Sequence, residues 1–345
     1  MFASSLLAAA ALAVLSLAES LPEKTLGQLD QGTWLENIAV RPNGDLLVTQ
    51  LFPSASIYTV KKPAGGHHHR ALEQIAAIPA IQNIYGLAQV PSRRGDAETY
   101  VVVGGNSTSL ANPVAGTFSA WTVDLSCSRG KDEVTVRKFS DMDRHSAFLN
   151  GVAEIPGVAS AVLVSDSTAG LVGRLDLSSG AFDTGAFVFP EMAPTADAAL
   201  PLGVNGIRIR HGFLYWTNSA TVAIYRVAVT VRGLPAKGAK PELVFDLSAA
   251  ASFLDDFTFD ADGNIYVTTN LDNSVIFVDL EAGTAETVVG SLDALTVAGS
   301  TAVAFGRSKH DKDTLYVSTG GGLAAPVGGT KTEGAKVVAV DTSSW

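Results

Sequence analysis

The amino-acid sequence predicts an all-β protein folded as a six-bladed β-propeller, and its internal repetition is the main reason. Six segments share one plan of short strands joined by turns, with starts near residues 37, 85, 150, 205, 256 and 301. Their spacing is roughly fifty residues, which is typical of propellers in which each repeat forms a four-stranded blade. Six repeats therefore indicate six blades around one central axis.

Strand and turn signals inside the repeats support this prediction. The stretches "NIAVRPNGDLLVTQ" and "DFTFDADGNIYVTT" alternate apolar and polar residues on both sides of a Gly/Asn turn. The segment "KTLGQLDQGTW" precedes the first repeat, and we expect it to supply the outer strand that closes the ring beside the C-terminal "AKVVAVD". Only "DLSAAASFLDD" looks helical, while the long "FPEMAPTADAALPLG" segment is a candidate lid or rim.

Composition limits the partners of this protein. The chain has 345 residues, of which 47% are hydrophobic and 17% are charged, as in a compact globular protein. Its net charge of −10 disfavours binding to phosphate backbones, so we expect no nucleic-acid partner.

The N-terminus has the pattern of a cleaved signal peptide over residues 1–18, with an apolar run from Leu6 to Leu17 followed by small residues. The run is short for a membrane span, so we expect no membrane anchor. Residues 19–345 are then a single propeller domain in the secretory pathway, either secreted or held in a vesicle lumen. In that compartment "NST" makes Asn106 a glycosylation acceptor.

Oxygen-bearing side chains stand just before the first strand of several repeats. In a propeller, such equivalent positions converge on the axis at one end. Two carboxylates and two amide oxygens suit Ca²⁺ or a similar divalent cation. The four candidate metal ligands are Glu36, Asn150, Asn205 and Asp255. The alternative interpretation is that Asn and Asp stand there because they favour turns.

A second carboxylate, Asp256, follows Asp255 directly. We consider both as candidate catalytic residues, with Asp256 either a further metal ligand or a general base beside the metal.

The loops after the second strands, together with aromatic residues near the first strands, provide candidate substrate-binding residues. The resulting funnel would be aromatic with a few hydrogen-bonding groups, which suits a small apolar or aromatic ligand. Core packing is the alternative role for each aromatic residue. The candidates are Trp34, Phe52, Tyr85, Phe148, Ser167, Asn218 and Asn270.

The motifs "ENIAVRPNG", "LNGVAE", "VNGIRI" and "LDDFTFDADGNIYV" resemble those of the senescence marker protein/gluconolactonase superfamily of six-bladed propellers, whose architecture paraoxonases share. The resemblance implies that Glu36, Asn150, Asn205 and Asp255 hold a divalent metal in the central tunnel. Two features of those families are missing. The sugar-binding Arg and Asn-Asp-Gly element is replaced by "HSAFLNGVAE", and the paraoxonase His dyad has no counterpart.

Three functions are compatible with these sequence features. The chain is also similar to secreted fungal hetero-Diels–Alderases of tropolonic sesquiterpenoid biosynthesis, which join a quinone methide to a polyene such as humulene and need little acid–base chemistry. We favour this secondary-metabolism function because the sugar-binding and His elements are missing. A Ca²⁺-dependent lactonase or esterase and a non-catalytic binding propeller are the alternatives. Apart from Ca²⁺ in the lactonase, we expect no cofactor.

Overall fold

Six four-stranded antiparallel sheets form a β-propeller, as the repeats predict. The structure is a computed structural model that describes residues 20–61, 71–91, 98–110, 112–128, 131–343 and 345. The predicted signal peptide, residues 1–18, lies outside these described residues. None of the helices within them is long and apolar enough to cross a membrane.

In each of the first five blades, the innermost strand comes first in the sequence and the outermost comes last. The chain starts with β1 (Glu23–Gln31), which belongs to the sixth blade. Blade 1 has β2 (Trp34–Val40), β3 (Leu46–Phe52), β4 (Ser56–Val60) and β5 (Glu73–Ala77). Blade 2 has β6 (Asn83–Val90), β7 (Glu98–Gly105), a short hairpin of β8 (Ser107–Ser109) and β9 (Asn112–Pro113), then β10 (Ser119–Ser128) and β11 (Lys131–Asp141).

The remaining blades follow the same plan. Blade 3 has β12 (Leu149–Ile155), β13 (Val158–Asp166), β14 (Leu171–Asp176) and β15 (Phe182–Phe187). Blade 4 has β16 (Val204–Arg210), β17 (Phe213–Asn218), β18 (Ala223–Ala228) and β19 (Glu242–Asp246). Blade 5 has β20 (Phe257–Phe259), β21 (Ile265–Thr268), β22 (Ser274–Asp279) and β23 (Thr284–Gly290). Blade 6 has β24 (Ser300–Phe305), β25 (Thr314–Thr319), β26 (Gly334–Asp341) and β1.

The predicted ring closure is confirmed. β1 pairs antiparallel with β26, with Glu23 opposite Val340 and Thr25 opposite Val338. The two ends of the described chain therefore complete one sheet, which ties the N-terminal strand to the last blade.

Apolar side chains fill the space between neighbouring blades in six clusters. Leu163 of β13 and Trp216 of β17, for example, are fully buried in the cluster between blades 3 and 4. Burying a side chain of this size contributes about 1.5–3 kcal/mol. The alternating apolar residues seen in the sequence thus hold each blade against the next.

The segment 246–256, which looks helical from its sequence, does not form a helix. Asp246 accepts a hydrogen bond from the backbone N–H of Ser248 (2.9 Å), and a single turn follows. The backbone N–H of Ser252 then bonds to Asp272 Oδ2 (2.7 Å) in the neighbouring loop. Because this N–H is held by a side chain outside the segment, the turn does not continue into a helix.

Candidate functional site

Both predicted sets of site residues come to one face of the propeller, which we call the upper face and define as the face where the innermost strands begin. The second strand of each blade ends at the same face because it runs antiparallel to the first. Trp34 lies opposite Phe52, Leu149 opposite Asp166, and Val204 opposite Asn218.

A β-bulge near the start of the innermost strands sets the position of the predicted metal ligands. In it, two residues of the innermost strand lie opposite one residue of the second strand. The first residue of this pair is equivalent in all six blades. Listed from blade 1 to blade 6, these residues are Glu36, Tyr85, Asn150, Asn205, Asp255 and Thr301.

The glycine that follows Tyr85, Asn150 and Asn205 allows the innermost strands to come close together. A Cβ atom on Gly86 would lie 2.1 Å from the carbonyl oxygen of Asn150, and one on Gly151 would lie 2.6 Å from that of Asn205. Only glycine fits at such distances. The glycines of the Asn-Gly pairs are therefore needed for close packing of the innermost strands, while the asparagines supply the polar groups.

Hydroxyl groups on the second strands of blades 3, 4 and 5 tie each of these blades to the next, and sequence reasoning missed them. Ser165 donates to the backbone oxygen of Asn205 (2.7 Å), Thr217 to that of Asp255 (2.7 Å), and Thr268 to that of Thr301 (2.8 Å). The available signal was a Ser or Thr near the end of the second strand in "LVSD", "YWTN" and "YVTT". These bonds fix the backbone on which the site residues stand.

Asp255 and Glu36 are buried carboxylates whose charges interact. Asn270 Nδ2 donates to Asp255 Oδ2 (2.8 Å), and Trp34 Nε1 donates to Glu36 Oε2 (2.5 Å). Burial, followed by the charge of Asp256, raises the pKa of Asp255 to about 7, although hydrogen bonds from Asn270 and Asn205 oppose this.

The pKa of Glu36 is also raised well above its ordinary value. Burial is the main cause, and the negative charges of Asp255 and Asp256 add to it, against the hydrogen bond from Trp34. A proton or a cation bound between Glu36 and Asp255 would relieve their repulsion.

Among the described residues, no group of three or more His, Cys, Asp or Glu side chains is arranged to hold a metal ion. The predicted set has only two such members, since Asn150 and Asn205 supply amide groups. Both asparagines are buried, and Asn205 Nδ2 donates to Ser219 Oγ (3.0 Å). A cation site in this chain therefore depends on amide oxygens.

Asp256 differs from Asp255 in its environment. Its Oδ2 accepts a hydrogen bond from Arg208 (2.6 Å), while its Oδ1 is buried without a hydrogen-bond partner. It also packs directly on Gly206, where a Cβ atom would lie 2.4 Å from Asp256 Oδ1. Asp256 thus pairs with a guanidinium group, whereas Asp255 pairs with the neutral amide of Asn270. Sequence reasoning missed Arg208, which lies two residues after Gly206 and thus on the same side of β16.

The apolar cluster between blades 2 and 3 extends to the upper face, where Trp34, Tyr85 and Phe148 are among its buried members. The rings of Tyr85 and Phe148 meet edge to face with centroids 5.0 Å apart. Trp34 packs on Gly320, where a Cβ atom would lie 2.7 Å from Trp34 Cδ2. Three of the predicted lining residues, Trp34, Tyr85 and Phe148, are thus buried in one cluster.

The Tyr85 hydroxyl group is buried and has no hydrogen-bond partner within the protein. Burial, together with the charge of Glu36, raises its pKa above the ordinary value for tyrosine. Tyr85 therefore stays protonated, and its hydroxyl keeps a hydrogen-bond donor that no described residue uses. Sequence reasoning placed Tyr85 in the lining but did not recognise that it occupies the position equivalent to Glu36 in the next blade.

The other predicted lining residues differ in how available they are. The Ser167 hydroxyl is buried without a partner, as is Asn270 Oδ1. Phe52 lies at the rim with 38% of its surface exposed. Asn218, by contrast, donates to the backbone oxygens of Glu191 (3.0 Å) and Ala193 (2.9 Å) and accepts from two backbone N–H groups, so it anchors a loop.

Asn106, the predicted glycosylation acceptor, follows β7 at the upper face and is half-buried. Its Oδ1 accepts a hydrogen bond from the backbone N–H of Gln82 (3.2 Å).

Comparison with known proteins decides the family. No protein-family model matches the chain. The "Putative hetero-Diels-Alderase" of Phoma sp is 33% identical over 330 residues, which cover 89% of this chain and 88% of that protein. The chain belongs to the hetero-Diels–Alderase family. A second family member, "Putative hetero-Diels-Alderase asR5" of Sarocladium schorii, is 30% identical over 333 residues, covering 87% of this chain and 78% of that protein.

Solved structures support the fold of this hetero-Diels–Alderase family member. The structure of a luciferin-regenerating enzyme superposes with a TM-score of 0.61 at 12% sequence identity, covering 93% of this chain and 95% of that one. The predicted resemblance to propellers of the gluconolactonase and senescence marker protein type is confirmed at the level of the fold.

Proposed function

We propose that this protein catalyses a hetero-Diels–Alder addition at its upper face, joining a quinone methide to an apolar polyene such as humulene. The observation that carries the proposal is the unpartnered Tyr85 hydroxyl, which is buried in a cluster with Trp34 and Phe148. Membership of the hetero-Diels–Alderase family supports the same reaction class.

The addition needs few catalytic groups. The quinone methide contributes a conjugated O=C–C=C unit and the polyene contributes one C=C bond. One C–O bond and one C–C bond form together, one new C=C bond is left, and no atom, proton or electron is released. The protein then has to hold two apolar partners in contact and stabilise the charge that develops on the carbonyl oxygen.

Tyr85 is suited to the second task because it is a neutral donor. Its hydroxyl donates to the carbonyl oxygen of the quinone methide, and the bond strengthens as negative charge builds on that oxygen in the transition state. The buried hydroxyl of Ser167 is a second candidate donor. Trp34 and Phe148 hold the flat ring of the quinone methide through apolar and edge-to-face contacts.

The proposal is tested by generating a quinone methide from a stable precursor in the presence of humulene and the purified protein. We expect a higher yield and a large enantiomeric excess relative to the reaction without protein. Tyr85→Phe should lose most of this effect, whereas the control Tyr225→Phe, on β18, should keep it. An adduct that is racemic at all protein concentrations would refute the proposal, and tight humulene binding without addition would favour a non-catalytic binding protein.

A Ca²⁺-dependent lactonase is the second candidate, and the buried pair of Glu36 and Asp255 is the observation that favours it. The two carboxylates repel each other, and a cation between them would relieve that repulsion. The residues that would hold it are Glu36, Asn150, Asn205 and Asp255, whose oxygen chemistry fits a hard cation. Bound Ca²⁺ supplies a Lewis acid that polarises a lactone carbonyl.

Elemental analysis of dialysed protein, combined with a lactone hydrolysis assay, separates the two candidates. The lactonase predicts stoichiometric Ca²⁺ and hydrolysis that a chelator abolishes and Ca²⁺ restores. Full addition activity after chelation, without hydrolysis, would exclude the lactonase.

We also propose that the protein is secreted and carries a glycan on Asn106. Support comes from the apolar pattern of residues 1–18 and from the position of Asn106 on a loop at the upper face. Expression in a fungal host tests both points. The expected results are a secreted protein that begins near residue 19 and a mass decrease in Asn106→Gln equal to the glycan released by endoglycosidase.

A further inference from the structure

Three half-buried leucines reach the upper-face apolar cluster from three separate loops. Leu110 follows β8 in the short hairpin, Leu202 precedes β16, and Leu323 lies between β25 and β26. All three pack against the cluster that contains Trp34 and Tyr85. Each keeps part of its side chain exposed, so each presents apolar surface beside that cluster.

The loop that carries Leu202 is held firmly at both ends. The side-chain amide of Asn218 donates to the backbone oxygens of Glu191 and Ala193, and the backbone N–H of Gly203 donates to the oxygen of Ser167 (2.7 Å). This anchoring gives Leu202 a fixed position before any ligand arrives, which lowers the entropic cost of binding.

The loops of Leu323 and Leu110 are also fixed by internal contacts. The backbone N–H of Leu323 donates to the oxygen of Gly320 (3.2 Å), the glycine on which Trp34 packs. In the hairpin, the backbone N–H of Ser107 donates to Gln82 Oε1 (2.9 Å), which ties the base of the hairpin to the start of blade 2.

We propose that Leu110, Leu202 and Leu323 form the surface that binds the apolar alkene partner and limits its size. The inference rests on the proposed function, in which Tyr85 orients the carbonyl partner and the leucines remain as an apolar wall for the second partner. Their contacts with a hydrocarbon depend only on shape and area. Such a surface discriminates by size, since one methylene group in an apolar pocket changes selectivity about 10–200-fold.

Binding of humulene alone tests this without the addition reaction. We would measure its dissociation constant by tryptophan fluorescence for the wild type and for Leu110→Ala, Leu202→Ala and Leu323→Ala. Each variant should bind humulene about tenfold more weakly. The matched control is Leu234→Ala, which makes the same change at a leucine with 36% exposure between β18 and β19, at the opposite face. Wild-type affinity in all three upper-face variants, or an equal loss in the control, would overturn the proposal.

A competition between humulene and the smaller alkene myrcene then reports selectivity. In the leucine variants, the ratio of humulene adduct to myrcene adduct should change about tenfold relative to the wild type. If addition occurs with the same ratio in all variants, the leucine wall is refuted while the proposed function stands. If humulene binds as predicted but no adduct forms, the proposed function is refuted while the leucine wall stands.

Discussion

Replacement of Tyr85 by phenylalanine separates catalysis from stability, because the two are expected to change in opposite directions. The Tyr85 hydroxyl is buried without a hydrogen-bond partner in the protein, and its ring packs edge to face on Phe148. Phenylalanine keeps the ring and this contact and removes only the oxygen. The substitution therefore leaves the apolar cluster intact.

The expected gain in stability follows from the free-energy cost of burying a polar group without a hydrogen-bond partner. A buried hydroxyl without a partner destabilises the folded state by about 1–3 kcal/mol, so its removal should raise the free energy of unfolding by about 1 kcal/mol. In the reaction, a hydrogen bond that strengthens in the transition state is lost. A loss of about 1.4 kcal/mol of transition-state stabilisation lowers the rate tenfold.

Urea unfolding and the rate of humulene addition, measured on the same preparations, check both values. Tyr85→Phe should unfold at a higher urea concentration with an unchanged m-value and should form adduct at least tenfold more slowly. Ser167→Ala removes another unpartnered buried hydroxyl and serves as a comparison within the same site. A Tyr85→Phe protein that is less stable and fully active would show that the hydroxyl is structural and would refute the reasoning.

Three further predictions concern the stability contributed by Gly206, Asp256 and Asp255. Gly206→Ala should destabilise the protein by about 1–3 kcal/mol, because the new Cβ would lie 2.4 Å from Asp256 Oδ1. The near-neutral control in the same urea titration is Gly185→Ala, where the nearest contact of a Cβ would be 3.4 Å away. Asp256→Asn should cost about 2 kcal/mol, since it weakens the charged hydrogen bond from Arg208, and an unchanged urea midpoint would contradict this. The pKa of Asp255 is raised from 3.8 to about 7, so the folded chain binds more protons between these values. In the absence of added cation, the free energy of unfolding should therefore fall as the pH rises through this window. Asp255→Asn should flatten the slope of unfolding free energy against pH. Equal slopes in the wild type and the variant would contradict the raised pKa of Asp255.

The sequence predicted the fold well because repetition and alternation are local signals. Strand periodicity and Gly/Asn turns marked each blade, and "KTLGQLDQGTW" was correctly identified as the strand that closes the ring. The helix expected over 246–256 was wrong because residues outside the segment decide its conformation. Asp272 takes the backbone N–H of Ser252, and this contact cannot be seen from local propensity.

The site was predictable to the extent that it depends on equivalent positions in the repeats. Glu36, Asn150, Asn205 and Asp255 do occupy the same bulge position. Contacts between blades were not predictable, since they depend on which side chains face each other across the sheets. The ion pair between Arg208 and Asp256 is one example, because its partners lie 48 residues apart.

A crystal structure of the protein with its cycloadduct would test most directly whether addition takes place at the upper face. The expected result is an adduct beside Trp34 and Phe148, with its ring oxygen about 3 Å from the Tyr85 hydroxyl and its hydrocarbon part against Leu323. An adduct bound at the opposite face, or one at the upper face whose ring oxygen points away from Tyr85, would contradict the proposed function.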